Sequence, residues 1–385
     1  MNLFDYRRRE TGEVQIGGTP LGGNHPIRVQ SMTNTSTMDT EACVAQTLRI
    51  AEAGGDYVRL TTQGVREAEN LRNINAGVRA AGCAVPLVAD VHFNPKVADV
   101  AALYAEKVRI NPGNYVDAAR TFKHLEYTDE EYAQELKKIE ERFVPFLRIC
   151  RENHTAIRIG VNHGSLSDRI MSRYGDTPEG IVESCMEFLR ICVKEDFKDV
   201  VVSIKASNTV VMVRSVRLLV DAMEREGMRF PLHLGVTEAG GNRMGLIKSG
   251  MGIGGLLLEG IGDTLRVSLT GDPEDEVYAG YDILRAVGYA VAGPEIISCP
   301  TCGRTQYPMI EIANEVERRL KEEGFKKPVK IAIMGCIVNG PGEASDADIG
   351  IAGGKDCAVL FEHGEKIRTL KGDIVSQFVE EIHKL

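Results

Sequence analysis

The sequence of 385 residues has no tryptophan, few aromatic residues and no apolar run long enough to cross a membrane. Its longest apolar runs, 200–204 and 256–258, are far shorter than the about 20 residues that a membrane-spanning helix needs. Three arginines follow one another at 7–9, but no apolar stretch comes after them, so no secretory signal is predicted. We therefore expect a cytoplasmic protein that does not associate with membranes.

The sequence also lacks an excess of basic residues. Its formal net charge is −9 at pH 7, which argues against a general nucleic-acid-binding protein. A disulfide framework is not predicted either, although there are nine cysteines. Six of them are scattered through predicted helices and strands, and we expect them to be buried thiols in a reducing compartment. These six are Cys43, Cys83, Cys150, Cys185, Cys192 and Cys357.

The chain alternates short apolar runs with stretches whose apolar residues recur at helical spacing. Eight strands that alternate with helices predict an α/β fold of the (β/α)8 TIM-type barrel class. A doubly wound open sheet is the alternative, and the count of eight favours the barrel. The predicted strands are 27–32, 57–61, 86–91, 108–112, 156–161, 200–206, 232–237 and 264–269.

The barrel pattern ends near 288–294, and a different pattern follows. We predict a barrel domain over 1–290 and a small α/β domain over 291–385. A highly charged segment, 121–153, interrupts the barrel pattern after its fourth strand and is predicted to form a long, solvent-facing helix without a chemical role. In the second domain we predict strands at 295–298, 330–334 and 358–362 and helices at 307–323 and 374–383.

Cysteines in the second domain are spaced as in a metal site. Cys299 and Cys302 form a CxxC turn, and Cys336 lies in a glycine- and proline-rich loop that also carries Glu343. Three thiolates would leave one iron of a four-iron cluster without a sulfur ligand from the protein, and the carboxylate of Glu343 could bind that iron. Zinc is the alternative, but the second CxxC or histidine pair of structural zinc sites is missing. A redox-active CxxC would leave Cys336 and Glu343 without a role.

The predicted barrel strands carry charged residues among their apolar ones. Buried strands rarely do so unless the charge is paired or binds a ligand. Five of these charged residues are cations, and Asp90 and Glu238 alone cannot balance them. We therefore predict that a phosphorylated substrate, which carries a diphosphate, binds in the barrel mouth. A structural ion network inside the barrel is the alternative. The five cations are Arg59, Arg109, Arg158, Lys205 and Arg266.

Further candidate residues follow predicted strands. Glu238 comes just after the seventh strand, where barrel enzymes place catalytic groups, and is either a proton donor or acceptor or a salt-bridge partner. Asn162 follows the fifth strand and could orient a substrate. His92 and His163, also beside strand ends, are candidate pocket residues.

Seven motifs, spread in order from about residue 27 to the end of the sequence, resemble those of the 4-hydroxy-3-methylbut-2-enyl diphosphate synthase family. The resemblance implies the short bacterial form, with a barrel and a small iron–sulfur domain and without the large inserted domain of the plant-type form. The motifs are VQSMTNT (29–35), RINPGN (109–114), RIGVN (158–162), GVTEAGG (235–241), EGIGDTLRVS (259–268), CPTC (299–302) and GCIVNGPGE (335–343).

This resemblance implies a reaction and a cofactor. The substrate would be 2-C-methyl-D-erythritol 2,4-cyclodiphosphate, opened and reductively dehydroxylated to 4-hydroxy-3-methylbut-2-enyl diphosphate in the methylerythritol phosphate pathway of isoprenoid biosynthesis. A [4Fe-4S] cluster on Cys299, Cys302, Cys336 and Glu343 would deliver two electrons, and Glu343 would be the ligand that gives way to a substrate oxygen. Glu238 would act in proton transfer, with Asn162 beside it. The implied diphosphate-binding residues are Arg59, Arg109, Arg158, Lys205, Arg266 and Ser268.

The resemblance also implies partners. The protein would be a homodimer in which the cluster domain of one subunit caps the barrel of the other, and its electrons would come from flavodoxin or ferredoxin. The residues alone also allow two other classes of function. One is a non-redox barrel enzyme of dihydropteroate-synthase type with a zinc-stabilised C-terminal module. The other is a phosphate-binding or iron–sulfur scaffold protein without turnover.

Overall fold

The structure, a computed structural model, describes residues 7–92, 94–117, 126–338 and 340–385. The side chains of residues 242, 341 and 343 are not part of that description. The chain divides into two units, Met1–Val287 and Gly288–Leu385. No helix in the described ranges is long and apolar enough to span a bilayer.

Eight parallel strands form the sheet of the first unit. Strands β1 to β6 each pair with the next in sequence, β7 pairs with β8, and β8 pairs with β1, so the spatial order runs β6-β5-β4-β3-β2-β1-β8-β7. A parallel bridge between Val202 and Leu232 joins the two ends of this order and closes the barrel. The predicted (β/α)8 fold is therefore confirmed. The strands are β1 (Arg28–Met32), β2 (Tyr57–Thr62), β3 (Leu87–Val91), β4 (Lys107–Ile110), β5 (Ala156–Asn162), β6 (Val200–Lys205), β7 (His233–Leu234) and β8 (Thr264–Leu265).

Helices connect the strands on the outside of the barrel. A π-helical turn at Gly250–Gly254 joins α9 to α10, so that 242–258 is one continuous helical segment. The helices are α1 (Thr40–Glu52), α2 (Val65–Ala80), α3 (Pro95–Ala101), α4 (Pro112–Tyr115), α5 (Asp129–Glu152), α6 (Asp168–Tyr174), α7 (Pro178–Lys194), α8 (Thr209–Arg225), α9 (Asn242–Ser249), α10 (Gly255–Leu258) and α11 (Pro273–Ala286).

The charged segment predicted over 121–153 contains the long helix α5; residues 121–125 lie outside the described ranges. The helix begins at a capping box, in which the side chain of Thr128 accepts the Glu131 N–H and the side chain of Glu131 accepts the Thr128 N–H. One face of α5 is buried against the barrel, which sequence reasoning did not anticipate. The buried residues of that face are Tyr132, Ile139, Phe143, Phe146, Leu147 and Cys150.

A buried ion cluster anchors α5 to its neighbours. Arg169 of α6 donates to Asp117 at 3.0 Å and to Glu187 of α7 at 2.8 Å, and the Tyr132 hydroxyl donates to Glu187. The Arg169 side chain is only 4% exposed, yet its charge is matched by two carboxylates. This arginine is thus a buried cation with full compensation.

An N-terminal hairpin closes the lower end of the barrel. Val14 and Leu21 form an antiparallel bridge and pack, together with Ile16, against Tyr57 and Val88 of the barrel interior. All five side chains are fully buried. Since apolar residues fill this end, the opening of the barrel lies at the carboxyl ends of its strands, where active sites of this fold are found.

The second unit is a five-stranded mixed sheet with helices. Strands β9, β10 and β11 are parallel, while β12 and β13 continue the sheet antiparallel. Side chains of α12, α14 and the parallel strands form its apolar core. The elements are β9 (Glu295–Ser298), α12 (Met309–Glu322), β10 (Lys330–Met334), α13 (Gly340–Glu343), β11 (Ile349–Gly354), β12 (Cys357–Glu362), β13 (Glu365–Lys371) and α14 (Ile374–Lys384).

The six scattered cysteines do not share one environment. Four of them are buried thiols, as expected, but Cys83 and Cys357 are half-buried. The expectation of uniform burial is therefore wrong for these two, because Cys83 follows the end of a surface helix and Cys357 is the first residue of β12, directly after the turn from β11.

Candidate active site and cluster ligands

A cavity of about 620 Å³ opens at the carboxyl ends of the barrel strands. It contains all five cations that the sequence predicted for the barrel mouth, together with Asp90 and Asn162. Four of the cations come from four different strands and Arg266 directly follows β8, so the closed barrel is what brings the five together. The lining residues are Met32, Arg59, Thr61, Gln63, Asp90, His92, Arg109, Arg158, Val161, Asn162, Ser203, Lys205, Thr237 and Arg266.

Strand register aligns three of the charged residues side by side. Asp90 of β3 is the cross-strand partner of Arg109 in β4, and Arg109 is the partner of Arg158 in β5. Directly paired residues point to the same face of a sheet, and here that face is the barrel interior. The register thus builds a row of one carboxylate and two guanidinium groups.

Asp90 is the carboxylate that holds two arginines together. Arg109 donates to its Oδ1 at 3.0 Å, and the Arg59 Nε lies 3.5 Å from its Oδ2. Burial disfavours the ionised form of Asp90, but the attraction of Arg59 and Arg109 outweighs burial and holds the pKa of Asp90 below its ordinary value. Asp90 is therefore a permanent anion at neutral pH.

Arg158 and Lys205 have no comparable compensation. Arg158 is 1% exposed, and its buried Nε and Nη1 have no hydrogen-bond partner among the described residues. Burial lowers the pKa of Arg158, and repulsion from Arg59 and Arg109 lowers it further. Burial likewise lowers the pKa of Lys205, with repulsion from Arg59 and Arg158 as the next causes. Both pKa shifts mean that the charged forms of Arg158 and Lys205 are disfavoured as long as no anion lies beside them.

Two glycines leave room for these cations. A Cβ atom at Gly160 would lie 2.7 Å from the Nε of Arg109, and one at Gly235 would lie 2.9 Å from the Nζ of Lys205. Both distances are too short for a real contact, so any larger residue would displace the cation. The motifs RIGVN and GVTEAGG carry these two glycines.

Arg266 has a carboxylate partner that sequence reasoning missed. Glu276 of α11 accepts from the Arg266 Nη2 at 2.6 Å and from its Nε at 3.0 Å. The remaining Nη1 donates to the Ser268 hydroxyl at 3.0 Å, which brings Ser268 next to the cavity. Glu276 lies in the first turn of α11 rather than in a strand, and nothing in the sequence marks it; only the structure shows that it is 3% exposed.

Glu238 is not the second carboxylate that balances the cations. It is exposed and does not belong to the described lining of the cavity, although its neighbour Thr237 does. Its φ of +51° lies in the left-handed region, which costs a non-glycine residue about 1–2 kcal/mol. Such strain is found at functional positions that the surrounding structure enforces.

Of the three remaining predicted pocket residues, two line the cavity and one does not. Asn162 lines the cavity at the end of β5, and its Oδ1 accepts the N–H of Gly164. His92 lines the cavity as well, with its Nδ1 3.1 Å from the backbone carbonyl of Asp90 and its Nε2 4.0 Å from the Asp90 Oδ2. His163 instead faces Asp176, with its Nε2 at 2.5 Å from the carboxylate, and is not in the described lining.

The cysteines of the second unit lie at neighbouring strand ends. Cys299 follows β9 directly, and Cys336 follows β10 by two residues, while β9 and β10 are paired in parallel. The N–H of Gly335 donates to the Cys299 Sγ at 3.1 Å. Cys302 is exposed on the turn after Cys299, where its N–H donates to Thr305.

These features fit a set of thiolate ligands. A backbone N–H that points at a sulfur stabilises its thiolate form and is one of the means by which proteins tune iron–sulfur clusters. A Cβ atom at position 335 would lie 2.7 Å from the Thr305 hydroxyl and 3.4 Å from the Cys299 Sγ, so glycine is required there. In the described ranges, no three potential ligands are already close enough to hold one metal ion. The predicted fourth ligand, Glu343, ends α13, and its side chain lies outside the described residues.

The fold and the cavity define a barrel protein with a cation-lined cavity and a second, cysteine-bearing unit. Family models match both units: the GcpE TIM-barrel domain matches residues 11–281, and the GcpE protein C-terminal domain matches residues 295–384. The chain belongs to the GcpE family.

Relatives of two lengths are similar to the chain. A protein of Bacteroides thetaiotaomicron, named 4-hydroxy-3-methylbut-2-en-1-yl diphosphate synthase (flavodoxin), is 78% identical over 72% of the chain, which covers 45% of that relative. A Synechococcus protein, named 4-hydroxy-3-methylbut-2-en-1-yl diphosphate synthase (ferredoxin), is 47% identical over 94% of the chain and 90% of the relative. The chain thus spans less than half of the first relative and nearly all of the second.

A dihydropteroate synthase is among the solved structures that are similar to the chain at low identity. The dihydropteroate synthase of Yersinia pestis is 13% identical over 71% of the chain and 98% of that protein, with a TM-score of 0.44. Such a likeness carries no argument about function. The match of both units to the GcpE family does not favour the dihydropteroate-synthase alternative.

The lack of compensation at Arg158 leads to a stability prediction. We expect Arg158→Met to raise the free energy of unfolding in anion-free buffer by about 1–4 kcal/mol, because an apolar side chain of similar length replaces a costly buried charge. The matched control is Arg169→Met, which leaves two buried carboxylates unpaired and should lower that free energy by about 3–5 kcal/mol. Urea titrations followed by circular dichroism measure both. Equal destabilisation by the two substitutions would show that Arg158 is compensated after all.

Proposed function

We propose that the protein reductively opens and dehydroxylates 2-C-methyl-D-erythritol 2,4-cyclodiphosphate to form 4-hydroxy-3-methylbut-2-enyl diphosphate. The relatives named for this product support the proposal. The barrel would bind the substrate, and the second unit would hold the cluster.

The charge of the barrel cavity is the observation that carries this proposal. Five cations line or border it, and only two carboxylates, Asp90 and Glu276, contact them among the described residues. Five against two leaves an excess of three positive charges in a largely buried site. A diphosphate supplies negative charge and several oxygens that guanidinium groups bind in pairs. An internal ion network, by contrast, would balance its own charge.

The substrate-binding roles follow from position. Arg158 and Lys205 are the cations with the least compensation, so we assign them the closest contacts to the diphosphate. Arg59 and Arg109, held by Asp90, and Arg266 with Ser268 would bind further phosphate oxygens. Asn162, at the end of β5, would orient the carbon skeleton. Each of these groups is fixed by a strand, so little ordering is needed when the substrate binds.

Glu238 is the proposed proton-transfer group. The hydroxyl that leaves the substrate departs as water and must take up a proton. Glu238 is a carboxyl group on the segment after β7, next to the cavity residue Thr237. Its strained backbone supports a role for the side chain at this point, since a glycine would adopt the same conformation at lower cost.

Cys299, Cys302 and Cys336 would hold a [4Fe-4S] cluster, with Glu343 as the fourth ligand. When bound, such a cluster supplies the two electrons that the dehydroxylation consumes. The N–H of Gly335 donates to the Cys299 sulfur, which is the kind of hydrogen bond by which proteins tune iron–sulfur clusters. The electron donor would be flavodoxin or ferredoxin, as in the names of the relatives.

Removal of one proposed ligand tests the cluster. We expect Cys336→Ser to reduce bound iron from about four per chain to well below one and to abolish the broad visible absorbance, because a serine hydroxyl is a poor replacement for thiolate on iron. Cys357→Ser, in the same unit, is the matched control and should leave both unchanged. Iron content and absorbance after anaerobic reconstitution are the measurements. Colourless wild-type protein with stoichiometric zinc would contradict the proposal.

A second substitution tests the proton-transfer role. We expect Glu238→Gln to lower kcat by about 100-fold or more, since general acid–base groups contribute on that scale, while cluster content stays unchanged. Turnover of the cyclodiphosphate with an artificial reductant measures this effect. Glu226→Gln, which removes a surface carboxylate paired with Arg190, is the control. Wild-type kcat in Glu238→Gln would remove Glu238 from the mechanism.

A homodimer is proposed on the resemblance and on one exposed surface of the barrel unit. Met244, Ile247, Met251 and Leu258 follow one another along the helical segment 242–258 and are 53%, 46%, 68% and 53% exposed. We call these four residues the apolar stripe. Exposed apolar patches mark interaction sites. We propose that a second copy of the chain binds at the apolar stripe.

The dimer can be tested at the apolar stripe. We expect Met251→Glu to weaken self-association about tenfold or more, because it would bury a carboxylate in an apolar contact. Ile367→Glu, at another exposed apolar residue on β13, should have no effect. Sedimentation velocity over a range of protein concentrations gives the dissociation constant. A wild-type protein that stays monomeric at all concentrations would refute the dimer.

A further inference from the structure

Glu276 is a buried carboxylate that belongs to no motif and has no assigned role. It lies in the first turn of α11, outside the barrel sheet, and is 3% exposed. Its Oε1 accepts from the Arg266 Nη2 at 2.6 Å and from the Leu269 N–H at 3.2 Å. Its Oε2 accepts from the Arg266 Nε at 3.0 Å and lies 2.9 Å from the Ser31 hydroxyl. Every oxygen of this carboxylate therefore has two neighbours that can donate.

These contacts fix two parts of the anion site. The pair of bonds to Nε and Nη2 is the planar, two-point geometry that sets the orientation of a guanidinium group. It leaves the Nη1 of Arg266 directed at Ser268. The bond to the Leu269 N–H holds the backbone that follows Ser268. One carboxylate thus determines where both Arg266 and Ser268 lie.

Glu276 is itself held from the other side. The Ser31 hydroxyl, on β1, lies within hydrogen-bond distance of both Glu276 and the Pro273 carbonyl, at 2.9 and 2.8 Å. It joins the start of α11 to the neighbouring strand β1. The carboxylate is therefore supported by the sheet and the helix together, which is the arrangement that keeps a binding group in place without a ligand.

We propose that Glu276 is a positioning residue of the anion site, which acts on the diphosphate through Arg266 and Ser268. This inference rests on the proposed function, because it takes the cavity to be the diphosphate site. Glu276 does not touch the substrate. Its role is to present the free edge of the Arg266 guanidinium and the Ser268 hydroxyl to one phosphate group.

The sign of the effect separates positioning from simple electrostatics. Glu276 is an anion beside an anion site, so on charge alone its neutralisation would attract a diphosphate more strongly. Loss of the two-point contact would instead let Arg266 adopt other rotamers and would weaken binding. The two explanations predict opposite changes in affinity for the same substitution.

The experiment measures the binding of inorganic pyrophosphate to the intact protein by titration calorimetry. We expect Glu276→Gln to raise the pyrophosphate Kd about tenfold, the scale of one well-placed charge-assisted contact. Glu274→Gln is the matched control, since Glu274 lies in the same helical turn and pairs with Arg49 at the surface. It should leave the Kd unchanged. An unchanged or lower Kd in Glu276→Gln would overturn the proposal.

A second variant keeps the test decisive if Glu276→Gln folds poorly. Glu276→Asp keeps the charge but withdraws the carboxylate by one methylene, so it should also raise the Kd while thermal unfolding shows a folded protein. Wild-type affinity in Glu276→Asp would overturn the proposal. In turnover assays both variants should raise KM about tenfold with little change in kcat, as expected for loss of binding alone. A merely structural role would not give this division.

Failure of this inference can be told from failure of the proposed function. If the wild-type protein does not bind pyrophosphate, the anion site itself is refuted. The other case is that the wild-type protein binds pyrophosphate and that Arg109→Ala weakens this binding while Glu276→Gln does not. That result would support the anion site and contradict only the role of Glu276.

Discussion

Uncompensated positive charge in the barrel mouth is the constraint on which the rest of the site depends. Five cations are gathered there, yet the described residues offer them two carboxylates. Buried charge without a partner destabilises a folded protein. The lower end of the barrel is packed with Val14, Ile16 and Leu21 and also buries Lys107, whose Nζ lies 4.2 Å from the centroid of the Tyr57 ring. Apolar packing at this end stabilises the barrel, while the cations at the upper end lack matching carboxylates.

The two carboxylates, Asp90 and Glu276, hold cations on different walls of the cavity. Asp90 sits within the sheet and joins Arg59 and Arg109, which come from strands on either side of it. Glu276 reaches in from a helix and holds Arg266 on the opposite part of the barrel. Arg158 and Lys205 lie between these two anchored groups without an anchor of their own. In the proposed function, the two phosphate groups of the substrate would supply the negative charge that Arg158 and Lys205 lack.

Sequence reasoning succeeded where the pattern is local and failed where it depends on packing. The strands β9 and β10 were predicted to the residue because their apolar runs are short and bounded. The strand β11, with the sequence IGIAGG, was missed because glycines mask strand propensity, and the edge strand β13 was missed because most of its residues are exposed and polar. The five cations could be predicted because charge inside an apolar strand is conspicuous. Glu276 could not, because an acidic residue in the first turn of a helix is ordinary until the fold buries it.

The two halves of the proposed chemistry are prepared to different degrees. The proposed anion site is formed by the protein alone, since four of its cations project from strands, Arg266 directly follows β8, and Asp90 and Glu276 hold three of the five. The cysteines are prepared only in part: parallel pairing of β9 and β10 brings Cys299 and Cys336 to adjacent strand ends, but Cys302 is exposed, and no three ligands in the described ranges are gathered around one point. Metal binding can supply the free energy that gathers such ligands. Binding of a small organic substrate supplies no comparable free energy. The cations of the barrel therefore have to be in place before the substrate binds, whereas the cysteines can be gathered by the metal.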